Sequence, residues 1–314
     1  MDLLKRLFTR EFNKSYQETL LDGNSEAPEI ITLDFPACIE REFPQAFSPA
    51  WVAVEQVLAA IKEAKFSPLE RHSPGLKGFD WEIYLRCSVV RMVRVLSALS
   101  QRGVTAGNLL DCGAYFGNFS LMCASEGYQV DALDSYKGYE QALSGVTNLL
   151  YNSGIKVIDF DEVGYDLHQI HSQTYDIVLC MGVIEHIPHT PRLLLESLNR
   201  VLKPGGLLVI DTPNLAYLYN RQKLARGESI FCPISLQYFT ELPFEGHHRE
   251  YTLAEVKWML EQIGHTNIYT ETFNYSVYGL SILQGHDLDN YKIMMAEPES
   301  REIIMTVSRK SFLN

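Results

Sequence analysis

The residues from Asn108 to Ser120, NLLDCGAYFGNFS, have the types and spacing of a ligand-binding turn. Two leucines followed by an aspartate predict the end of a buried strand, and a helix is predicted from Phe119 to Glu126. Gly113 and Gly117 bracket the turn between them, where the backbone must take positive φ angles and approach a ligand closely. Free N–H groups at the start of the helix add a partial positive charge. These features predict a site for a nucleotide-like molecule.

The spacing of the glycines separates the classes of nucleotide. The dinucleotide pattern G-x-G-x-x-G needs glycine at positions 113, 115 and 118, where this sequence has Gly113, Tyr115 and Asn118. A P-loop is excluded because no GK[ST] occurs here. The remaining pattern, D-x-G-x-x-x-G, lets Asp111 face a cationic amine and suits S-adenosyl-L-methionine, which has no phosphate. An ordinary glycine turn between a strand and a helix is the alternative interpretation.

From residue 108 onward, short apolar runs alternate with helical patterns, which is typical of parallel strands joined by helical crossovers. Ligands of such sheets bind beyond the carboxyl ends of the strands. Predicted strands end at four aspartates: Asp111, Asp134, Asp159 and Asp211. We therefore expect these carboxylates at one edge of the sheet.

Asp134 and Asp159 suggest how the rest of the cofactor is held. Asp134 lies about 20 residues beyond the glycine turn, where an acidic residue accepts hydrogen bonds from ribose hydroxyls. An aspartate that only caps a turn is the alternative there. Asp159 and Phe160 are expected to meet the adenine, with Asp161 an equal candidate.

The composition indicates a globular enzyme. The 314 residues are 46% hydrophobic and 21% charged, which allows one large domain with additions. A formal net charge of −12 argues against nucleic acid as a partner, because phosphate backbones are bound by clustered Lys and Arg. The six cysteines form no C-x-x-C pair, so no metal site and no disulfide framework is predicted.

The sequence also bears on whether the protein crosses or contacts a membrane. No apolar run reaches a transmembrane length of roughly 18 residues, and MDLLKRLFTREF lacks a secretion signal, so a cytoplasmic location is expected. Residues 1–12 form an amphipathic pattern that suits either peripheral contact with an anionic membrane or docking on the domain, and docking is favoured. Two further helices, from Trp51 to Lys65 and from Trp81 to Gln101 after an Asp80 cap, complete an N-terminal helical extension over residues 1–104.

Residues 175–214, YDIVLCMGVIEHIPHTPRLLLESLNRVLKPGGLLVIDTPN, together with LLDCGAYFG, resemble the class I S-adenosylmethionine-dependent methyltransferases. The similarity is strongest to the branch of ubiquinone-biosynthesis O-methyltransferases. It implies an α/β fold, a Rossmann-like three-layer sandwich over residues 105–314. Its seven-stranded sheet is mostly parallel, with an antiparallel last strand supplied by Glu302 to Val307. Tyr115 departs from the family, which often has glycine there, and its side chain is expected to lie over the cofactor or narrow its entrance.

The resemblance also implies residue roles. It places Asp111, Gly113 and Gly117 at the methionine part of the cofactor, Asp134 at the ribose, Asp159 and Phe160 near the adenine, and Met181 beside the sulfonium. Glu185 and His186 follow the fourth strand, where such a pair braces the active-site loop or, as the less favoured interpretation, acts in chemistry.

Residues 215–250 are longer than a plain connection and rich in aromatic residues, which predicts an ordered lid inserted in the domain. A hydrophobic cluster under a long loop is the alternative. His247, His248 and Arg249 then precede a helix whose capping box is Thr252 and Glu255, so we expect them at the mouth of the site.

These elements predict transfer of a methyl group to a hydroxyl of a small molecule, sugar or glycan intermediate. His247 or His248 is the candidate base, since an imidazole titrates near neutral pH, and a capping or metal-free surface role is the alternative for both. Arg249 is expected either to hold an acidic group of the acceptor or only to form a salt bridge with Glu250. Methylation of nitrogen, carbon or a protein side chain is the alternative, as is a regulator that binds the cofactor without turnover.

Overall fold

The computed structural model describes residues 29–66, 78–139, 142–160 and 166–312. The nine strands within these ranges are β1 Ile30–Thr32, β2 Asn108–Cys112, β3 Gln129–Asp134, β4 Lys156–Asp159, β5 Tyr175–Met181, β6 Leu202–Pro213, β7 His265–Phe273, β8 Ile282–Gln284 and β9 Ile303–Lys310. The ten α-helices there are α1 Ala37–Glu42, α2 Pro44–Ile61, α3 Trp81–Ser100, α4 Asn118–Ser125, α5 Ser144–Asn152, α6 Arg192–Val201, α7 Leu218–Ala225, α8 Ile234–Gln237, α9 Leu253–Gln262 and α10 Gly285–Ala296. Residues 1–12, with their expected membrane or docking contact, and Asp161 lie outside the described residues.

Seven strands form one sheet in the order β4-β3-β2-β5-β6-β9-β7. The first five run parallel to one another, whereas β9 is antiparallel to both β6 and β7. This arrangement confirms the predicted seven-stranded sheet with an antiparallel last strand. A separate two-stranded ribbon pairs β1 with β8.

Helices cover both faces of the sheet, which gives the three layers of a Rossmann-like fold. Alternate residues of each central strand point to opposite faces, as the period of a strand requires. In β5, Ile177 and Leu179 pack with helices α2 to α5, while Val178 and Cys180 pack with α6 and α9. The central strands are buried on both sides, which explains their nearly continuous apolar sequence.

The two long helices before residue 104 belong to this packing. Asp80 caps α3 as predicted, its side chain accepting a hydrogen bond from the backbone N of Ile83 at 3.1 Å. Ser48 and Pro49 form a start signal that predicts a helix from Trp51, but α2 begins at Pro44, so Pro49 lies inside the helix. A proline at the first helical position loses no intrahelical hydrogen bond, a condition that Pro44 meets as well as Pro49 would.

Other boundaries also differ from the predictions. The sequence pattern predicts a helix from Tyr139 to Asn152, whereas the helix begins at Ser144. It also predicts a strand from Leu207 to Asp211, whereas β6 begins at Leu202, includes the KPGG segment and ends at Pro213. The strand ends that face the site nevertheless lie within two residues of the predicted ones.

Residues 215–250 contain helices α7 and α8. The two ends of the segment are held together, because the backbone N of Leu215 donates to the carbonyl of Tyr251 at 3.0 Å and Asn220 donates to the carboxylate of Glu250 at 2.8 Å. The capping box of Thr252 and Glu255 that was predicted for α9 is present. None of the helices in the described ranges is long and apolar enough to cross a membrane.

Candidate active site

The turn after β2 has the strained backbone that its glycines predicted. Gly113, Tyr115 and Gly117 all take positive φ angles, of 81°, 45° and 67°. The backbone N–H groups of Gly113 and Ala114 donate to the carbonyl of Leu133 at 2.9 and 3.0 Å, which fixes the turn against the end of β3. A Cβ at Gly113 would lie 2.3 Å from a methyl group of Val183, so the turn and the loop after β5 approach one another as closely as a glycine allows.

Asp111 lies beneath this turn and is buried. Its carboxylate accepts a hydrogen bond from the Ser120 hydroxyl at 2.6 Å, near the start of α4. Burial raises the pKa of Asp111 to about 6, and the hydrogen bonds from Ser120 oppose that shift. In the structure, Asp111 therefore braces the turn against α4.

Asp134 ends β3 directly beside the turn. Its carboxylate accepts hydrogen bonds from the backbone N of Tyr115 at 2.7 Å, the backbone N of Ser135 at 2.7 Å and the hydroxyl of Tyr139 at 2.8 Å. The two backbone donors orient the carboxylate, while the side-chain donor from Tyr139 is exchangeable for another hydroxyl. Burial raises the pKa of Asp134, and these three donors oppose the shift.

The remaining predicted cofactor residues lie along the same edge of the sheet. Asp159 pairs in register with Asp134 and forms an ion pair with Lys137 at 2.7 Å. Phe160 follows it and is buried in the core of the second sheet face. Met181 ends β5 and pairs in register with Asp211. The structure thus brings the predicted residues to one edge of the sheet. The carboxylates of Asp111, Asp134 and Asp159 each have a hydrogen-bond or ion-pair partner there.

An aromatic cluster, which includes Trp81 from the N-terminal helices, lies at one side of this edge. Tyr115 packs against Phe116, Trp81 and Tyr139, with ring centroids 4.2, 6.1 and 5.3 Å apart. Trp81 begins α3, so the helical extension contributes directly to the surroundings of the turn. That the Tyr115 side chain lies over the cofactor or narrows its entrance stays a prediction.

The second group of predicted residues gathers at the loop after β5. Glu185 and His186 lie in a short 3₁₀ helix, Ile184–His186. The carbonyl of Glu185 accepts hydrogen bonds from the backbone N of His248 at 2.8 Å and of Arg249 at 3.3 Å, so the two histidine-bearing segments meet here. The rings of His186 and His247 are in edge contact, with centroids 4.8 Å apart.

The side chains of this group differ in their partners. Glu185 is buried and accepts a hydrogen bond from the Thr212 hydroxyl at 3.0 Å. Burial raises its pKa to about 7, and nearby His247 opposes that shift. Burial lowers the pKa of His186 to about 3, with further lowering by His247. The third histidine, His248, is directed away, because its Nε2 contacts the carbonyl of Phe244 at 3.0 Å.

The structure adds residues that sequence reasoning missed. Arg91 of α3 forms two hydrogen bonds with Asp211, which had been expected only as one of the carboxylates at the sheet edge. Arg249 forms an ion pair with Glu255 at 2.6 Å rather than with Glu250, and its role toward an acidic group of the acceptor stays a prediction. The sequence did contain a signal for the contact between Arg91 and Asp211, because an arginine inside the apolar pattern of a buried helix needs a partner.

The acidic groups at this edge fit S-adenosylmethionine. Carboxylates rather than lysines and arginines surround the turn, which suits a ligand with a cationic sulfonium and ammonium better than a phosphate. The buried carboxylate of Asp134, oriented by two backbone N–H groups, is of the kind that binds ribose hydroxyls. Fold and turn together define a class I S-adenosylmethionine-dependent methyltransferase domain.

Comparison with known proteins agrees with this class. The model of a methyltransferase domain family matches residues 84–270, and the chain belongs to that family. The ubiquinone biosynthesis O-methyltransferases of Yersinia pestis (strain Pestoides F) and Yersinia pseudotuberculosis serotype O:3 (strain YPIII) are each 30% identical to it over 152 residues, covering 48% of this chain and 54% of theirs. The match thus spans about half the length of these curated relatives.

Two solved structures are similar to parts of the chain, with TM-scores below 0.5. A putative sarcosine dimethylglycine methyltransferase from Galdieria sulphuraria aligns with a TM-score of 0.48 and 17% identity over 73% of this chain and 88% of that one. Phosphoethanolamine N-methyltransferase 2 from Haemonchus contortus, in complex with S-adenosyl-L-methionine, aligns with a TM-score of 0.47 and 14% identity over 69% of this chain and 52% of that one. The family match confirms S-adenosylmethionine as the cofactor, while the individual contact residues stay predictions.

Proposed function

We propose that this chain transfers the methyl group of S-adenosylmethionine to a hydroxyl oxygen of a small-molecule acceptor, with sugars and glycan intermediates among the candidates. The observation that carries the proposal is the cluster of Glu185, His186 and His247 at the carboxyl edge of the sheet. A hydroxyl acceptor must lose a proton, and this cluster supplies the groups that can draw it off. The similarity to ubiquinone biosynthesis O-methyltransferases supports oxygen as the atom methylated.

The reaction is an in-line displacement. The acceptor oxygen forms a bond to the methyl carbon while the carbon–sulfur bond breaks, its electron pair stays on sulfur, and the hydroxyl proton leaves. The cofactor supplies the activated methyl group. The protein must therefore align oxygen, methyl and sulfur, and such alignment contributes roughly 7–11 kcal/mol in ideal intramolecular cases.

Within the cluster, His247 is the histidine that we assign to the acceptor rather than His248. The Nδ1 of His247 lies 3.2 Å from a carboxylate oxygen of Glu250, which orients the ring, and the ring is in edge contact with that of His186. The ring of His248 bonds a loop carbonyl instead. Residues 215–250, which carry Asn220 as a partner of Glu250, are proposed as the lid over the acceptor.

A panel of labelled acceptors tests the proposal. Purified protein is incubated with methyl-labelled S-adenosylmethionine and separate hydroxyl, amine and protein acceptors, and products are identified by mass. We expect label in hydroxyl compounds of low mass, at a rate that falls by a factor of about 10² or more in His247→Gln. His248→Gln is the matched control and should stay within a few-fold of wild type.

Binding of S-adenosylhomocysteine should be unchanged in both variants, which separates loss of turnover from loss of the cofactor site. Transfer only to amines or to protein would reject oxygen as the acceptor. Binding of the cofactor without transfer to any acceptor would favour the regulator hypothesis.

A further inference from the structure

Glu185, His186 and His247 bring three potential metal ligands together. One donor atom from each side chain lies within 4.8 Å of the other two. The first two residues follow β5, and the third follows the long segment after β6, so their closeness arises only from the fold. The sequence predicted no metal because its cysteines lack zinc-site spacing, a criterion that does not detect a site assembled from distant segments.

Each of the two imidazoles has a partner on its Nδ1 side. The Nδ1 of His186 lies 2.8 Å from the carbonyl oxygen of Glu245, an acceptor that only an N–H group can satisfy. The Nδ1 of His247 lies 3.2 Å from a carboxylate oxygen of Glu250. Nε2 is therefore the nitrogen of each ring that would bind a metal ion. A backbone carbonyl or a carboxylate behind the ring is the usual outer partner of a metal-binding histidine.

The buried carboxylate of Glu185 lacks a cation of its own. Its Oε2 accepts a hydrogen bond from the Thr212 hydroxyl, and among the described residues no lysine or arginine forms an ion pair with it. The nearby guanidinium of Arg91 is bound by both oxygens of Asp211. An unpaired buried carboxylate is costly, and a bound cation would offset that cost.

We infer that Glu185, His186 and His247 form a site for one divalent first-row transition-metal cation of the Zn²⁺ type, which binds and activates the acceptor hydroxyl. Two imidazoles and one carboxylate match a known ligand set for catalytic zinc, in which further positions stay open. Mg²⁺ and Ca²⁺ are less suitable because they favour oxygen ligands. This role of the site rests on the proposed O-methylation.

The three donors stand further apart than they would around a bound ion. Zinc–ligand bonds are about 2.0–2.2 Å long, so two donors on a tetrahedral ion lie roughly 3.4 Å apart. The observed spread of up to 4.8 Å exceeds that separation by ~1.4 Å at most. Binding the ion therefore requires the side chains to close in, and the half-buried His247 ring, which lies on a loop, is the one that we expect to move.

The cation would change how the acceptor loses its proton. A hydroxyl bound to zinc has a lowered pKa, so its proton can pass to solvent water while the oxygen stays near the cofactor. His247 then holds the ion rather than taking the proton itself. The acceptor class that this arrangement favours is a hydroxyl compound with a second oxygen close enough to share the ion.

Calorimetric titration of the full, chelator-treated chain with Zn²⁺, and separately with Co²⁺, tests the site directly. We expect one ion per chain for wild type and a loss of affinity of at least 100-fold in His186→Gln and His247→Gln. Glu250→Gln should weaken binding by roughly 10- to 100-fold, because it removes only the partner that orients His247. His248→Gln is the matched control and should bind like wild type.

Binding of S-adenosylhomocysteine confirms in each variant that the protein is folded. The inference is overturned if wild type binds neither metal at micromolar concentration, or if the two histidine variants bind as tightly as wild type. Methyl transfer to a hydroxyl by wild type that binds no metal would reject the metal site and leave the proposed function standing. One bound ion with no hydroxyl methylated would retain the site and reject the proposed reaction.

Discussion

The guanidinium of Arg91 and the carboxylate of Asp211 form two hydrogen bonds, of 2.8 and 2.6 Å, in the interior of the protein. The pair joins α3, from the helical extension, to β6 of the sheet. A bidentate pair has the geometry that best offsets the cost of burying two charges. Asp211 also pairs in register with Met181, so the same contact fixes the edge of the sheet beside the proposed sulfonium position.

Arg91→Met should destabilise the protein by about 3–5 kcal/mol, because it leaves the carboxylate of Asp211 buried without its cation. Urea unfolding followed by circular dichroism measures the loss. The double variant Arg91→Met with Asp211→Asn removes both charges and should recover more than half of it. A single variant as stable as wild type would mean that the pair contributes nothing to holding α3 on the sheet.

The sequence was sufficient for most of the fold because the sheet signals are local. Apolar runs that end in aspartate marked the ends of β2, β3 and β4, and the Thr252 and Glu255 capping box marked the start of α9. The start of α2 was missed because Ser48 and Pro49 form a start signal as good as Pro44. Tertiary packing, which no local pattern contains, decided between them.

The candidate site was predictable only in part. The carboxylates at the strand ends follow from topology, so Asp134 and its neighbours could be placed in advance. The partners of these groups could not, since Tyr139 and Asp134, or His186 and Glu245, meet only after folding. Which of His247 and His248 contacts the cluster likewise depends on how the folded loop places the two rings.

Asp134→Ala should weaken binding of S-adenosylhomocysteine by at least about 1.5 kcal/mol, roughly tenfold, because it removes the acceptor proposed for the ribose hydroxyls. Tyr139→Phe should have the opposite effect. The hydroxyl of Tyr139 occupies one oxygen of Asp134 at 2.8 Å, and its removal frees that oxygen for the ligand. Calorimetry on both variants gives the two dissociation constants.

Tyr136→Phe is the control for these measurements, since Tyr136 is a neighbouring tyrosine whose hydroxyl has no hydrogen-bond partner among the residues that the structure describes. It should leave the dissociation constant unchanged. Weaker binding by Tyr139→Phe would show that the hydroxyl contributes to the bound state instead of competing with the ribose.

Gly113→Ala should reduce both stability and cofactor affinity. A Cβ there would lie 2.3 Å from a methyl group of Val183, and the φ angle of 81° is unfavourable for any residue with a side chain. The pair Gly113→Ala with Val183→Ala separates the two causes, because it removes the collision and keeps the backbone strain. It should recover part of the stability measured by thermal unfolding. No recovery in the pair would assign the whole loss to the backbone.

His265 provides a pH-dependent contribution to stability far from the candidate site. The ring is buried at the start of β7, where Nδ1 contacts the hydroxyl of Ser308 at 2.9 Å and Nε2 contacts the side-chain oxygen of Asn199 at 3.2 Å. These partners satisfy a neutral imidazole. Burial lowers the pKa of His265 from 6.5 to about 4, and the charge of Lys310 lowers it further.

Because the pKa of this histidine is lower in the folded state, the unfolded chain binds its proton first as the pH falls. The contribution is therefore complete above about pH 6.5 and is lost progressively down to pH 4, by roughly 3 kcal/mol in total. His265→Gln removes the titrating group, so the free energy of unfolding of wild type minus that of the variant should fall over this range. Urea titrations at intervals between pH 4 and pH 8 measure the difference, in which the other histidines cancel. A difference that stays constant with pH would show that His265 titrates alike in the folded and unfolded chains, and that its burial has no effect on its protonation.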